Sequence, residues 1–323
     1  MTSLKTKNIC FLAAFLFLAI VPTLAKVVQS ASECKGYEPT PPEIPGILEG
    51  GVSKNNNRYR IICQTYNGVQ RYLTVYDIEN RIPVFSAYEY KGSEGDRPGV
   101  PWKIEPQLEL GTNLGDNMMK EDSNINYNNQ AVDKDYEKAE KKKGQKVIKY
   151  DRGHLFPANH ASDQDELEST FTLTNAVPQD SNFNRGRWSQ MEQCMKCIMD
   201  YFISAHNFKC FVVVGAKPGN TKLNDNNNIA KKKVNIPSMM WSAFRCGNGE
   251  SGAYWDENIE RDPPVPMERN TVQQLQDELV RIDPTLHGIT VFPQINPGQK
   301  RSSSNSQQPQ ASKKSLPSSA GKP

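Results

Sequence analysis

The chain of 323 residues predicts an α+β fold in which a central antiparallel sheet is flanked by helices. Three observations predict it. Short β-rich runs at Tyr59 to Cys63, Tyr72 to Tyr76 and Val84 to Tyr90 are separated by turn signals such as Asn67-Gly68 and Glu79-Asn80, the pattern of a meander or hairpin set. Trp188, Met191, Met195, Ile198, Met199 and Phe202 recur at steps of three and four, so an amphipathic helix with one buried stripe follows. Phe211 to Gly215, Ile236 to Arg245 and Gly252 to Trp255 then return as strands.

Residues 1–25 stand apart from the fold. Lys5 and Lys7 precede an apolar run from Ile9 to Pro22, and Thr23 and Ala25 occupy the −3 and −1 positions of a cleavage site, as in a secretory signal peptide. The run is shorter than the ~20 apolar residues of a spanning helix. A secreted, extracellular protein without stable membrane association is expected. Residues 26–58, with Pro39, Pro41, Pro42 and Pro45, read as an N-terminal extended arm, and 59–295 as the main domain. The Ser-, Gln- and Lys-rich tail at 296–323 buries too little apolar surface to order.

The remaining elements follow from local pattern. Glu109 to Gln145 is polar and predicts a surface excursion with a short helix around Asp133 to Lys143. Val147 to Leu155 predicts a strand that delivers His154, and Phe171 to Thr174 a second one, with a polar loop from Asn159 to Ser169 between them. Asn184 and Glu192, eight residues apart, lie roughly 80° around a helix axis and can face the same side. Asn220 to Lys233 predicts a loop, and Thr271 to Ile282 a helix with Val272, Leu275 and Leu279 on one face.

Cysteines and charge narrow the function classes. Cys10 lies in the leader, and Cys34, Cys63, Cys194, Cys197, Cys210 and Cys246 form an even set that suggests disulfides in an oxidising compartment. Six cysteines allow fifteen pairings; Cys34 to Cys63 is favoured, because no other cysteine after the leader precedes residue 150. Cys194-x-x-Cys197 has no second pair or nearby histidine at zinc spacing, so it reads as structural bridging with no more than one thiol left free. Loss of Lys5 and Lys7 takes the formal charge from +3 to +1. A polyanion must therefore be met by a local basic patch, with Lys138, Lys141, Lys142, Lys143, Lys146, Lys149 and the run Lys231 to Lys233 as candidates beside the alternative of plain solvated surface.

The chemistry concentrates between residues 147 and 192. Hydrolysing a phosphodiester needs a base for water, positive charge near the phosphoryl oxygens and help for the leaving oxygen. His154 suits the first task, since imidazole with an ordinary pKa of about 6.5 is available as a neutral base. Asn184 offers a hard oxygen to Mg²⁺, which retains several waters. Arg152, Arg185 and Arg187 are candidate phosphate clamps. His160, His206 and His287 lack comparable neighbours and read as structural.

The ordered set Asp151-Arg152-Gly153-His154, Thr174-Asn175-x-x-Pro178-Gln179, Asn184-x-Gly186-x-Trp188 and Glu192 resembles the DNA/RNA non-specific endonuclease family, whose site is a ββα-metal finger. The resemblance runs from about 59 to 293, and the runs 83–88 and 102–108 look like its secreted branch, endonuclease domain-containing 1. It implies a finger built from strand 147–155, the next strand and loop, and helix 185–204. It assigns His154 as general base, Asn184 as the single direct ligand of one Mg²⁺ ion, with Mn²⁺ the substitute to test, and Asn175 as a supporting asparagine. Glu192 becomes an acid that holds metal-bound water, and Arg152 lies near the phosphate. Some family members carry an arginine in the strand corresponding to Ala87 to Tyr90, where this chain has Glu89, which leaves Arg97 or a weaker clamp as the alternatives.

The expected activity is Mg²⁺-dependent endonucleolytic hydrolysis of DNA, with RNA left open, and no small-molecule cofactor. A secreted binding or immune-response protein that keeps the nuclease fold with little activity is the main alternative. A phosphodiesterase for small nucleotides is the third.

Overall fold

Alternation of period two, with Val, Ile and Tyr on the buried phases, builds the largest sheet from strands that are apolar on both faces. The computed structural model describes residues 26–293 apart from 38–39, 96–97, 112–114, 116, 138–139, 144–145, 224–232 and 248. The leader, the tail beyond 295 and Arg97 lie outside the described residues. The strands are β1 (Lys26–Val28), β2 (Tyr59–Tyr66), β3 (Val69–Asp77), β4 (Ile82–Tyr90), β5 (Glu140–Lys143), β6 (Lys146–His154), β7 (Ala176–Asp180), β8 (Cys210–Lys222), β9 (Asn235–Cys246) and β10 (Glu250–Glu257). The longer helices are α1 (Gln164–Ser169), α2 (Ser189–His206) and α3 (Val272–Ile282).

Seven of these strands form an antiparallel sheet in the order β1-β2-β3-β4-β8-β9-β10. Tyr88, Tyr90, Val212 and Val214 face one core, with Trp188, Met191, Met195 and Met199 of the α2 region packed over them. Phe85, Ala87 and Val213 face a second core, covered by Leu275 and Leu279 of α3 and by Ile44 and Leu48. Thr271 caps α3 through the Gln274 backbone N–H, one residue before the predicted apolar face begins. The N-terminal segment is tied to this sheet at two points: β1 pairs with β2, and Cys34 is bonded to Cys63 of β2. The second disulfide joins directly opposed residues, Cys210 of β8 and Cys246 of β9.

A smaller sheet, β7-β6-β5, stands against the first. Its edge strand β7 is tied to the large sheet by buried Asn258, whose amide donates to Pro178 O (2.9 Å) and Pro237 O (3.0 Å) while Asp180 N–H donates to its oxygen (2.8 Å). Such a satisfied buried amide fixes the spacing between two sheets.

Several local expectations are corrected. Phe171 to Thr174 is not a strand; its end turns through a 3₁₀ segment at Leu173–Asn175, and pairing with β6 starts only at Ala176. The helix expected around Asp133 to Lys143 is a single 3₁₀ turn at Asp133–Tyr136, after which β6 recruits Glu140–Lys143 as its partner strand. Register with a neighbour overrides the helix propensity of a lysine-rich run. The polar loop from Asn159 to Ser169 contains α1, capped by the Asp163 carboxylate on Glu166 N–H. Cys194 and Cys197 are both free, so the bridging reading and the limit of one thiol fail. They sit three apart on α2, where Cβ atoms are ~5–6 Å apart, too far for the ~3.5–4.5 Å of a disulfide.

The 29-residue separation closed by Cys34–Cys63 sets a testable stability. Replacing both cysteines by alanine should lower unfolding free energy by about 3–4 kcal/mol. Urea unfolding of purified protein checks it.

Candidate active site

Strand β6 brings Arg152 and His154 to one of its faces, because side chains alternate. Opposite it on β7 lies the Ala176-Val177-Pro178-Gln179 part of the second motif, paired in the register Asp151 to Gln179 and His154 to Ala176. Gly153 is required here: a Cβ at that position would collide with the Gln179 side chain, so these two motifs are sterically coupled. The half-buried imidazole of His154 is held between Trp102 (ring centroids 4.9 Å apart) and the edge of Phe171 (4.8 Å).

Asn175 fixes where the strand ends. Its fully buried amide donates to Phe156 O and Thr170 O (both 3.0 Å) and accepts from Phe156 N–H and Ser86 Oγ (both 2.9 Å). Its backbone carbonyl accepts from Leu155 N–H at 2.9 Å. Asn175 therefore supports the site from below and does not face substrate.

Helix geometry aims the remaining groups. The Asp180 carboxylate accepts from Asn182 N–H (2.9 Å) and Phe183 N–H (3.1 Å), starting a first turn at Ser181–Phe183. The backbone then widens into a π-type turn over Asn184–Trp188, with Gly186 at non-helical angles, before α2 begins. Buried Trp188 and Phe183 pack together behind this turn. Asn184 and Glu192 both reach the cleft formed with β6, as their spacing predicts.

Sequence reasoning missed the role of Asp151. Its Oδ2 accepts from Asn184 Nδ2 (2.9 Å) and Arg185 Nε (2.8 Å), and its Oδ1 from Arg185 Nη2 (2.6 Å) and Ser181 Oγ (3.0 Å). Burial alone would raise its pKa, but the hydrogen bonds from Arg185, Asn184 and Ser181 together hold it below the usual carboxylate range. A carboxylate only accepts, so the Asn184 amide nitrogen must face it and the Asn184 Oδ1 is left for a cation. The residue order Asp-Arg-Gly-His carries no signal of this, because the partners arrive thirty residues later.

The resulting cleft holds about 510 Å³ and is lined by Arg152, His154, Asn159, Asn184, Arg185 and Glu192 among others. Arg152 pairs with Asp133 at 2.6 Å and lies over the Trp102 and Tyr136 rings. Arg187 is a correction: it is 5% exposed, paired with Asp256 and set over Phe183, so it braces the π-type turn and cannot bind substrate. Glu89 points to the sheet face opposite Tyr88 and pairs with Lys209 at 3.1 Å, so it does not stand in the cleft. Among the basic candidates, the side chains of Lys141, Lys142, Lys143 and Lys146, with Lys138, Lys231 and Lys232, lie outside the described residues.

His160 is structural, as expected. Its Nε2 contacts the Glu192 carbonyl at 3.0 Å, so Nε2 carries the proton and Nδ1 accepts from the Tyr88 hydroxyl at 2.7 Å. Full burial pushes its pKa down to about 4.

The donor set fits a largely hydrated divalent cation. Among the described residues no cluster of three His, Cys, Asp or Glu side chains could cage a metal. One amide oxygen with the Glu192 carboxylate lining the same cleft is the sparse arrangement that suits an ion retaining its waters.

Comparison with known proteins places the chain. The profile of the DNA/RNA non-specific endonuclease family matches residues 54–294. The chain is 26% identical over 191 residues to the endonuclease domain-containing 1 protein of Homo sapiens and 28% identical over 193 residues to that of Mus musculus, covering 57% of this chain in each case. It spans about a third of the length of these curated relatives, 34% of each. A solved structure described as the EndoG/EndoGI complex is similar with a TM-score of 0.46 and 20% identity, over 70% of this chain and 84% of that one.

Two outcomes are expected. Asp151→Ala should lower activity about 10- to 100-fold, as for residues that orient a metal ligand, while circular dichroism stays native. His160 should remain neutral in the folded state above its pKa of about 4. Because its folded pKa lies below the unfolded value of about 6.5, its contribution to stability is complete above pH 6.5 and is lost as pH falls toward 4. NMR titration of the imidazole, with urea unfolding across that window, checks the sign.

Proposed function

The chain belongs to the DNA/RNA non-specific endonuclease family, and on that premise we propose that it is a secreted, Mg²⁺-dependent enzyme that cleaves DNA, and RNA as well, within the strand. The observation that carries this reading is the convergence of His154 and Arg152 of one strand with Asn184 and Glu192 of the following helical segment on one cleft.

His154 takes the proton from the attacking water. Trp102 and Phe171 limit the imidazole's rotation where it lines the cleft. Asn184 Oδ1, with its amide oriented by Asp151, would hold the ion, and Glu192, lining the same cleft, would accept hydrogen bonds from its waters. When bound, such an ion supplies positive charge to the phosphoryl oxygens and acidifies the waters near the leaving oxygen. Arg152 contributes charge beside the base. No base-reading element is invoked, since phosphate and metal contacts carry no sequence information.

The leader-like segment at 1–25 and the two disulfides support an extracellular location. One observation favours the second reading, a nuclease fold with little activity: both cleft arginines are already ion-paired, Arg152 to Asp133 and Arg185 to Asp151. Substrate phosphate must compete with those carboxylates.

Incubating purified protein with plasmid, RNA and a small nucleotide diester, with and without Mg²⁺, separates the readings. Cleavage of both polymers only with the ion supports the proposal; cleavage of the diester alone or of nothing overturns it. His154→Ala should lose on the order of 10²- to 10⁴-fold in rate with an unchanged melting curve. EDTA should inactivate reversibly without unfolding, and Asn184→Ala should lose most activity with only partial rescue by excess Mg²⁺.

A further inference from the structure

His160 is 1% exposed and does not line the cleft, yet it joins two segments that do. The first is its own: Pro157, Ala158 and Asn159 line the cleft, and His160 closes their 3₁₀ turn with its N–H on Pro157 O at 3.0 Å. The second is the start of α2, where Ser189, Glu192 and Gln193 line the cleft and the Glu192 carbonyl accepts from His160 Nε2–H at 3.0 Å. From the sheet, the Tyr88 hydroxyl of β4 donates to Nδ1 at 2.7 Å. Sheet, turn and helix meet on one imidazole.

The neighbours leave that ring little freedom. Tyr90, next on the same face of β4, meets it edge-on with centroids 5.4 Å apart, and Tyr88 is itself stacked on Phe156 at 3.8 Å. The Tyr90 hydroxyl also donates to Asp200 Oδ1 at 2.5 Å, so β4 holds α2 at a second point eight residues further on. The bond to Glu192 is not what completes the helix. Within α2 that carbonyl accepts from the N–H four residues on, and an imidazole N–H on its second lone pair adds a lateral tie. Helical bonding fixes the turn's own shape; the lateral tie fixes where the turn stands against residues 157–159.

We propose that His160 is a positioning residue: by holding the first turn of α2 at a set distance from the 157–159 turn, it places the Glu192 carboxylate in the cleft. The inference rests on the reading of Glu192 as the acid that accepts from the ion's waters. His160 acts only on the backbone of Glu192, and the carboxylate follows because that backbone carries it. Two substitutions separate the ties. Asparagine places its amide near the Nδ1 position and keeps the Tyr88 contact, whereas glutamine reaches one methylene further, toward the Nε2 position, and keeps the Glu192 contact.

The test uses the whole purified protein, with plasmid cleavage measured across a Mg²⁺ series. His160→Asn should cut the rate about tenfold, as for residues that orient the groups of a metal site, and should raise the Mg²⁺ concentration that gives half the maximal rate; His160→Gln should keep most of the parent rate. Placed in Glu192→Gln, His160→Asn should cost nothing further, because its route to the cleft is gone. Equal losses in both backgrounds, or a glutamine variant as poor as the asparagine one, overturn the proposal. Should His160→Asn fail to fold, Tyr88→Phe, which removes only a hydroxyl, replaces it in the cycle with the same non-additivity expected. Amide hydrogen exchange needs no activity: His160→Asn should speed exchange over residues 189–196 and leave 199–206 at the parent rate. Unchanged exchange, or exchange uniformly faster along α2, overturns the proposal. A parent without nuclease activity counts against the functional reading, and the exchange pattern then decides whether His160 holds the turn.

Discussion

The side-chain amide of Asn175 is the point where the large sheet, the finger and α1 meet. Its oxygen accepts from Ser86 of β4 and from Phe156 just past the base, while its nitrogen donates to Phe156 and to the end of α1. All four capacities of one buried amide are satisfied, so no alternative placement offers it as many partners. Ser86 in turn shares a hydrogen bond with Thr74 of β3 at 2.9 Å, which carries the constraint two strands into the sheet. The position of His154 is thereby referenced to the core and not to a surface loop. Removing a partner would leave buried polar groups unpaired, at a cost of about 1–3 kcal/mol each.

Against that rigid base, the metal-facing side is sparse and is organised by one carboxylate. Asp151 engages Ser181, Asn184 and Arg185 at once, so it sets the amide orientation and also ties up a cation that could otherwise meet substrate. Arg187 acts on the other flank of the same turn, where it is buried against Asp256 and Phe183. The π-type turn between them is held from both sides by ion pairs. A helix start that widens in this way can present Asn184 and Glu192 together without extra chain.

The sheet's two covered faces divide the labour. Tyr88, Tyr90 and the α2 stripe form the face beneath the cleft, and His160 stays neutral there because burial disfavours its charged form. The opposite face, under α3 and the N-terminal segment, is a packing core bound in by Cys34–Cys63. Glu89 belongs to that second face through simple strand alternation, which explains why an acidic residue in the motif region leaves the cleft untouched.

Sequence pattern by itself determined what local periodicity and motif order encode: the β-rich runs that became β2 to β4, the amphipathic stripe of α2, the strand bearing His154, the helix capped at Thr271 and the family. Asn184 and Glu192 were legible as one face because eight residues of helix bring them round. Pairing decided the rest. β5 is a strand only because β6 offers it hydrogen bonds, β7 begins after Asn175 because that residue is spent on the core, and Cys194 and Cys197 stay apart because helix geometry separates them. The roles of Asp151 and Arg187 were illegible for the same reason: each is defined by a partner distant in sequence, Asn184 and Arg185 for one and Asp256 for the other. Charge and residue type are local properties, whereas whether a charged side chain faces substrate or is consumed by an ion pair depends on what folding places beside it.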